Sequence, residues 1–418
     1  MLSDSFLCLP CVWWNGCPRG RTVVCARLSD SLCDVKLQEF QAKKLFESGG
    51  IPVPRGMTAG TAVEAASAAL QLGTDRVVVK AQVLVGGRGK AGGIKVVLVP
   101  KAREAAESLL GKPLKGFMVN TVLIEPALSI AQEIYLSVTL DRARHRAVVM
   151  ASGAGGVDIE ELAVKSPEKI VTAHADPAVG LRGFQARQLA YDMVATAGLD
   201  WAEDRISAFA GIVLKLYDVY LRYDCSLAEI NPLVVTADGK LIAADGKVDV
   251  DDNATFRQPQ LVAQADRRHE DPDEIKAKEA GLSYIRLDGS IGCVVNGAGL
   301  AMATLDLVKH YGGNPANFLD IGGSSNPAKV TAAMQILSGN ASVKAILFNI
   351  FGGITRCDDV ARGLLEALSR TEVKIPLVIR LTGTNEAAAR ELLSAAGMKA
   401  HTQMDDAVKE AVAAAERR

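Results

Sequence analysis

Two hydrophobic periods alternate along most of this chain, and their order predicts its elements. From Lys36 to Phe46, Leu37, Phe40, Leu45 and Phe46 share roughly one helical face, and Gly49-Gly50 with Pro52 stop the helix. The alanine-rich stretch from Thr61 to Leu72 predicts a second helix. Val77-Val78-Val79 reads as a buried strand ending in Lys80, and Ile94 to Val99 as another. Between them lie five glycines in the eight positions from Gly86 to Gly93. Val122 to Glu125 predicts a short strand, and Ile134 to Val138 a longer one beginning just after Glu133. Leu227 to Val235 and Leu241 to Asp245 form two strands joined around Asp238-Gly239, a strong hairpin signal.

The rhythm then changes. Gln264 to Gly281 is polar and charged and reads as an inter-domain linker. Beyond it, strands are expected at Ile291–Val295, Phe318–Asp320, Ala345–Asn349 and Leu377–Arg380, followed by helices starting near Leu300, Pro327, Asp358 and Glu386. Asn326 before Pro327 is a good helix cap. Repeated strand–loop–helix units imply a doubly wound parallel sheet with ligands at the strand ends.

Composition narrows the class. A length of 418 residues suits two or three domains. The balance of 47 basic and 48 acidic residues gives no electrostatic reason for nucleic acid or membrane binding. Aromatic residues make up only 5%, and the abundance of Ala, Gly and Val suits an α/β enzyme. No apolar run reaches the roughly 18 residues of a membrane span, so a soluble chain is expected. Cys8, Cys11, Cys17, Cys25 and Cys33 crowd the start, whereas Cys225, Cys293 and Cys357 are scattered, which points to a reducing compartment. The opening segment, with Trp13-Trp14, has no regular period. Arg19, Arg21 and Arg27 favour a mitochondrial presequence, and Asp4, Asp30 and Pro18 oppose it. An over-long gene start is the plainer reading, with Val35 as an alternative initiator and little order before Asp34.

Three stretches carry candidate chemistry. Lys80 and the glycines around Arg88 and Lys90 look like a phosphate cover hinged between two strands, since glycine lets backbone N–H groups approach phosphate. A G-x-x-x-x-G-K-[ST] loop is excluded by Leu84, by Ala91 and by the strand that follows. Glu125, at a strand end, is either a solvated turn residue or, in a cleft facing Lys80, an acceptor for a ribose hydroxyl or amino group. In the hairpin, Glu229 and Asn231 share one face. A two-residue turn puts Asn231 on the face opposite Asp245. A three-residue loop, Ala237-Asp238-Gly239 with Gly239 left-handed, pairs the two directly and makes a three-oxygen site suited to Mg²⁺. In the second half, Asn296-Gly297-Ala298-Gly299 with Asp320 downstream resembles a dinucleotide fingerprint, weakened by Met302 where a third glycine belongs. An NAD-dependent oxidoreductase is therefore the rival class. The Gly352-Gly353 turn before the third of these helices predicts an anion site made of bare N–H groups at the helix start.

The motifs LQEFQAKKLF, VVKAQVLVGGRGKAGG, AEINPLVV, NATFRQP, IGCVVNGAGLAMATLD and FNIFGGITRCD run in order through both halves. From about Val35 to the C-terminus they resemble the β subunits of succinate–CoA ligases (succinyl-CoA synthetases) of the ADP-forming type. The resemblance implies an unstructured extension at 1–34, an ATP-grasp nucleotide-binding domain at 35–270 and a flavodoxin-like ligase domain at 271–418. It implies reversible conversion of succinate, CoA and ATP to succinyl-CoA, ADP and phosphate, a step of the tricarboxylic acid cycle. Lys80, Gly87, Arg88, Gly89, Glu125, Leu128 and Glu133 would hold the nucleotide, and Asn231 and Asp245 would bind Mg²⁺. Glu229 would orient the histidine that is phosphorylated, and Asn296, Gly353, Ile354 and Thr355 would meet the organic substrate.

That histidine is expected from a partner. His145, His174, His269, His310 and His401 are not in glycine-rich loops or beside evident acids, and each reads as a surface residue. The family supplies the phosphohistidine and most of the CoA site from an α subunit, in an αβ heterodimer or α2β2 heterotetramer. Malate–CoA ligases share the architecture; Gly352 resembles the succinate enzymes, and Pro54 the ATP-type subunits. The location implied is the bacterial cytoplasm, or the mitochondrial matrix if the first segment is a presequence.

Overall fold

The computed structural model describes residues 34–266, 271–323, 326–370 and 374–417, which fall into two compact units, 34–266 and 271–417. The expectations for residues 1–33 lie outside the described residues.

Alternating burial along its strands gives the first unit two main antiparallel sheets, beside a two-stranded ribbon of Pro113–Leu114 and Phe117–Met118. The larger runs Asp34–Lys36, Lys247–Asp251, Cys225–Thr236, Ile130–Asp141, Arg146–Ser152 and Val171–His174, with Leu241–Ala243 paired to the third of these. Ile134, Leu136, Ile230 and Leu233 point to one face, where helices Gly183–Ala197 and Glu203–Arg222 bury Met193, Phe209, Val213 and Leu216 against them. The opposite face carries Ser137 and Glu229. The smaller sheet has the order Met57–Ala59, Val122–Pro126, Arg76–Ala81 and Ile94–Leu98. Val77, Val79, Val122 and Ile124 face the alanines of helices Ala62–Gln71 and Ala102–Glu107, so the helices lie close to the strands. Thr61 caps the first of these helices through a reciprocal box with Glu64, worth about 1 kcal/mol.

The first predicted helix starts later than its periodicity suggests. Asp34–Lys36 is a strand, because Val35 pairs with Val250, and the helix spans Glu39–Ser48. Glu133 lies inside a strand rather than before one, since the pairing of Ile130–Asp141 with Cys225–Thr236 extends past it. The hairpin takes the three-residue loop: Val235 pairs with Leu241, Thr236 N donates to Lys240 O at 2.9 Å, and Gly239 has φ 84°. Asn231 and Asp245 are therefore opposite one another in register, with Asp245 just beyond the last ladder pair.

The second unit is one six-stranded sheet: Ser283–Arg286, Asn317–Asp320, Ile291–Val295, Ala345–Gly352, Leu377–Gly383 and Ala400–His401. The first strand is antiparallel to the second and the rest run parallel, in the flavodoxin-like order 2-1-3-4-5. Helices Pro327–Gly339, Cys357–Arg370 and Glu386–Ala395 pack on one face, and Ala298–His310 with Met404–Glu416 on the other. Asn326 caps its helix by accepting from Ala328 N at 2.9 Å. The polar stretch expected to be a linker contains helix Pro272–Glu279, capped by Asp271, with Ala277 buried in this unit's core. One small residue on one face suffices to seat so short a helix, which is why its period was not visible. No helix among the described residues is long and apolar enough to cross a membrane.

Candidate functional site

Strand register sets the first cluster. Val78 is opposite Glu125 and Lys80 opposite Leu123, so Lys80 and Glu125 are diagonal neighbours on the face turned away from the small sheet's core. Helix Glu39–Ser48 brings Glu39 and Lys43, one turn apart, onto them. Lys80 Nζ lies 2.8 Å from Glu39 Oε1 and 2.8 Å from Glu125 Oε2, and donates to Ala244 O at 2.6 Å. Lys43 Nζ bridges the same two carboxylates at 2.9 and 2.6 Å. Arg88 turns back from the glycine segment into this cluster. Its guanidinium grips both oxygens of Asp245, at 2.7 and 2.8 Å, and reaches Glu39 Oε2 at 2.8 Å.

Three cations thus face three carboxylates. Burial works to raise the Glu39 carboxyl, yet Lys43, Lys80 and Arg88 together hold it well below the usual range. Burial works against the Lys80 and Arg88 charges, and their acidic neighbours more than offset it, so both are pushed up. Gly87, at φ 67°, and Gly89 are exposed on the segment above, with Lys90; Lys115 Nζ donates to Gly86 O at 2.8 Å. Leu128 is half-buried in the turn leading to strand Ile130–Asp141.

A glycine loop joins this region to the hairpin. Gly156 N donates to Asn231 Oδ1 at 2.8 Å, and Asn231 Nδ2 to Val157 O at 3.0 Å. Gly155 N donates to Glu133 O at 3.0 Å, and the Glu133 carboxylate occupies the space a side chain on Gly156 would need. Glu229 lies between Ser137 and Lys247 on neighbouring strands and hydrogen-bonds Asn231. Burial, reinforced by Glu160, pushes its carboxyl up, against the pull of Lys247. Among the described residues no group of three or more His, Cys, Asp or Glu could hold a metal. The Asn231 and Asp245 oxygens are instead a small hard donor set, which fits Mg²⁺ keeping waters and phosphate ligands. Arg88 holds Asp245 in this arrangement.

In the second unit, Asn296 ends strand Ile291–Val295 at the point where strand order reverses. Its Nδ2 donates to Phe351 O at 2.9 Å and Thr355 Oγ1 at 3.1 Å, and its Oδ1 accepts from Phe351 N at 2.8 Å. The turn is thereby clamped, with Thr355 buried, Gly353 open and Ile354 92% exposed. A Cβ on Gly352 would lie 2.8 Å from Thr384 N and 2.9 Å from both Cys357 Sγ and Thr355 O. Only glycine fits there.

Family comparison agrees with both regions. The ATP-grasp domain family matches residues 36–235 and the CoA-ligase family residues 294–417. The β subunit of succinate–CoA ligase [ADP-forming] from Roseiflexus sp. is 50% identical over 385 residues, covering 92% of this chain and 100% of that protein. That from Gemmatimonas aurantiaca is 49% identical over 379 residues, covering 90% and 98%. The chain belongs to the family of ADP-forming succinate–CoA ligase β subunits. Among solved structures, the ATP citrate lyase of Methanothrix soehngenii superposes with TM-score 0.71 at 20% identity over 91% of this chain and 100% of that one, a likeness of fold.

As a ligase subunit the chain corrects several expectations. The rival dinucleotide reading gives way to this family match, and Asp320 Oδ1 accepts from Gly297 N and Gly322 N, so it braces the turn after its own strand. Met302 does not crowd the sheet; it is 44% exposed, while Ala301 and Leu305 face inward. The helix after Gly353 has no bare anion site. Cys357 N donates to Thr384 O at 2.9 Å, and Asp358 and Asp359 occupy the first turn, Asp358 held by Arg356, Arg362 and Asn385. Two histidines have acid partners after all: His174 with Asp141 at 2.9 Å across strands, and His401 with Glu410 at 2.7 Å from the last helix. Neither partner is near in sequence, and neither histidine lies in a glycine loop; His269 lies outside the described residues. Sequence reading missed Glu39, Lys43 and the Gly153–Gly156 loop. The i,i+4 acid–base pair on a helix face shared with Ala42 and Phe46 was a usable signal, as was the glycine run after strand Arg146–Ser152.

Proposed function

We propose that this chain is the nucleotide-handling half of a succinate–CoA ligase. It takes ATP in the first unit, passes the γ-phosphoryl to a histidine of a partner α subunit, and shares succinate and CoA with that subunit. The observation that carries the reading is the Glu39–Lys43–Lys80–Glu125–Arg88–Asp245 cluster beside an exposed glycine segment. Lys80 and Arg88 are charged and aimed, and a polyphosphate would draw them from their carboxylates. Gly87 and Gly89 leave backbone N–H groups uncovered for the same phosphates. Leu128 and Glu133 would border the base and ribose. Asn231 and Asp245 would hold Mg²⁺, which when bound neutralises phosphate charge; Asp245 would then exchange Arg88 for the metal.

Glu229, whose carboxyl burial pushes up, is suited to accept a hydrogen bond from the incoming imidazole and orient it. In the second unit, Asn296, Gly353, Ile354 and Thr355 would receive the acid and acyl groups. Gly352, which resembles the succinate enzymes, favours the succinate over the malate reading, and its turn leaves no room for a Cβ. A bacterial cytoplasmic enzyme is the setting we favour; a mitochondrial location hangs on residues 1–33 alone. Co-expression with a cognate α subunit tests the proposal. The complex should become labelled on histidine by γ-phosphate of ATP and discharge the label when succinate and CoA are added. Absence of labelling in an intact complex would overturn it.

A further inference from the structure

Arg380 lacks the counter-ion that its surroundings call for. It extends from strand Leu377–Gly383 beside Asn349, on the face packed by helices Ala298–His310 and Met404–Glu416. Its Nη1 donates to Asn349 Oδ1 at 2.8 Å and its Nε to Thr402 O at 3.1 Å. Asn349 is itself buried and donates to Thr304 Oγ1 at 2.8 Å, which locks the amide oxygen towards the arginine. Both partners of the guanidinium are neutral, and among the described residues three of its five N–H donors find no acceptor. Arg356 and Arg362, at the start of helix Cys357–Arg370, both hold Asp358 instead. Burial pulls the Arg380 charge down, the reverse of Arg88 in the first unit, where acidic partners push it up.

A half-buried cation without an anion is costly, and a protein gains by keeping one where a ligand supplies the missing charge. Position says which ligand. Arg380 is level with Asn349, and Thr402 lies one residue beyond its neighbour His401, so the guanidinium leans towards the C-terminal edge of the sheet. Phe351, clamped by Asn296, is two residues further along, roughly 7 Å at 3.3 Å per residue, about one arginine side chain. The bland alternative is a tether that holds the Thr402 loop. A tether needs one or two donors, and an amide would serve without the cost of a charge.

We propose that Arg380 binds a carboxylate of the acid substrate at the C-terminal edge of the second unit's sheet. This rests on the ligase reading above and adds a residue and a charge to it. The test uses the complete complex with the α subunit and compares wild type, Arg380→Lys and Arg380→Gln. The KM for succinate should rise at least tenfold in Arg380→Gln and less in Arg380→Lys, which keeps the charge. The KM for ATP, and for phosphate in the reverse direction, should stay within twofold. Tm should be unchanged or higher in Arg380→Gln, because glutamine retains a donor for the Asn349 and Thr402 oxygens. An unchanged succinate KM, with or without a fall in Tm, would leave only a tether and overturn the inference. So would a rise in the phosphate KM matching that for succinate. A wild-type complex that forms no acyl-CoA from succinate would sink the ligase reading together with this inference. A wild type that does, with the variants unchanged, would sink this inference alone.

Discussion

On the proposed function, the two units would hold anionic substrates by opposite means. In the first, charge is saturated: three cations and three carboxylates interlock, and Glu39, only 3% exposed, touches all three cations. In the second, the clamp at the sheet edge is neutral, made of Asn296, the Phe351 backbone and the Thr355 hydroxyl, with glycines that admit close approach. The difference separates two tasks. A tetra-anionic polyphosphate must displace standing ion pairs, so its site is ordered before it arrives. A small acid would need the shape of one turn first, with the single Arg380 charge standing behind it.

The contrast is most easily broken at Glu39. Glu39→Gln leaves three cations against the buried Glu125 and the half-buried Asp245 and should destabilise the first unit by about 3–5 kcal/mol, measured by denaturant unfolding. Stability within 1 kcal/mol of wild type would show that the interlock contributes nothing. The same residue carries a pH signature. Its carboxyl is depressed in the fold, so its stabilisation is fully present above the ordinary value near 4.3 and is lost as pH falls through the folded value. Wild type should therefore lose more stability than Glu39→Gln on acidification below about pH 4.3, and parallel curves would refute the assignment.

In the second unit the sharper variants are neighbours. Gly352→Ala places a methyl within 3.0 Å of three atoms and should lower acid-dependent turnover by about tenfold or more, whereas Gly353→Ala meets nothing within 4 Å and should cost less than threefold. Equal effects would mean that backbone fit is not what the turn provides. Asn296→Ala should be milder for stability, about 1–3 kcal/mol, from leaving Phe351 N without its acceptor.

Much of this was legible before any coordinates. The glycine segment and the strand-end position of Asn296 follow from strand period and strand–loop–helix repetition. The hairpin sequence, by contrast, allowed two registers, and the left-handed Gly239 of the three-residue loop decides for the one that sets Asn231 opposite Asp245. What stayed hidden was long-range. Glu39 reads as an ordinary first-turn acid until the fold places it under Lys80, forty-one positions away. Arg88 looks like a lid cation for solvent, yet it folds back on Asp245 because that carboxylate and Glu39 offer it three oxygens in a largely dry place. The helix after Gly353 misled for the same reason: Thr384 and Asn385, from the next strand end, satisfy groups that the local sequence leaves bare.

The division of labour itself is tested by one labelling experiment. In the complex with the α subunit, Asp245→Asn and Gly352→Ala are compared for phosphohistidine formed from γ-labelled ATP and for succinyl-CoA formed from that phosphoenzyme. The account predicts that Asp245→Asn loses labelling at least tenfold, while Gly352→Ala labels normally and then fails to pass the phosphoryl to succinate. Normal labelling in Asp245→Asn, or lost labelling in Gly352→Ala, would contradict it.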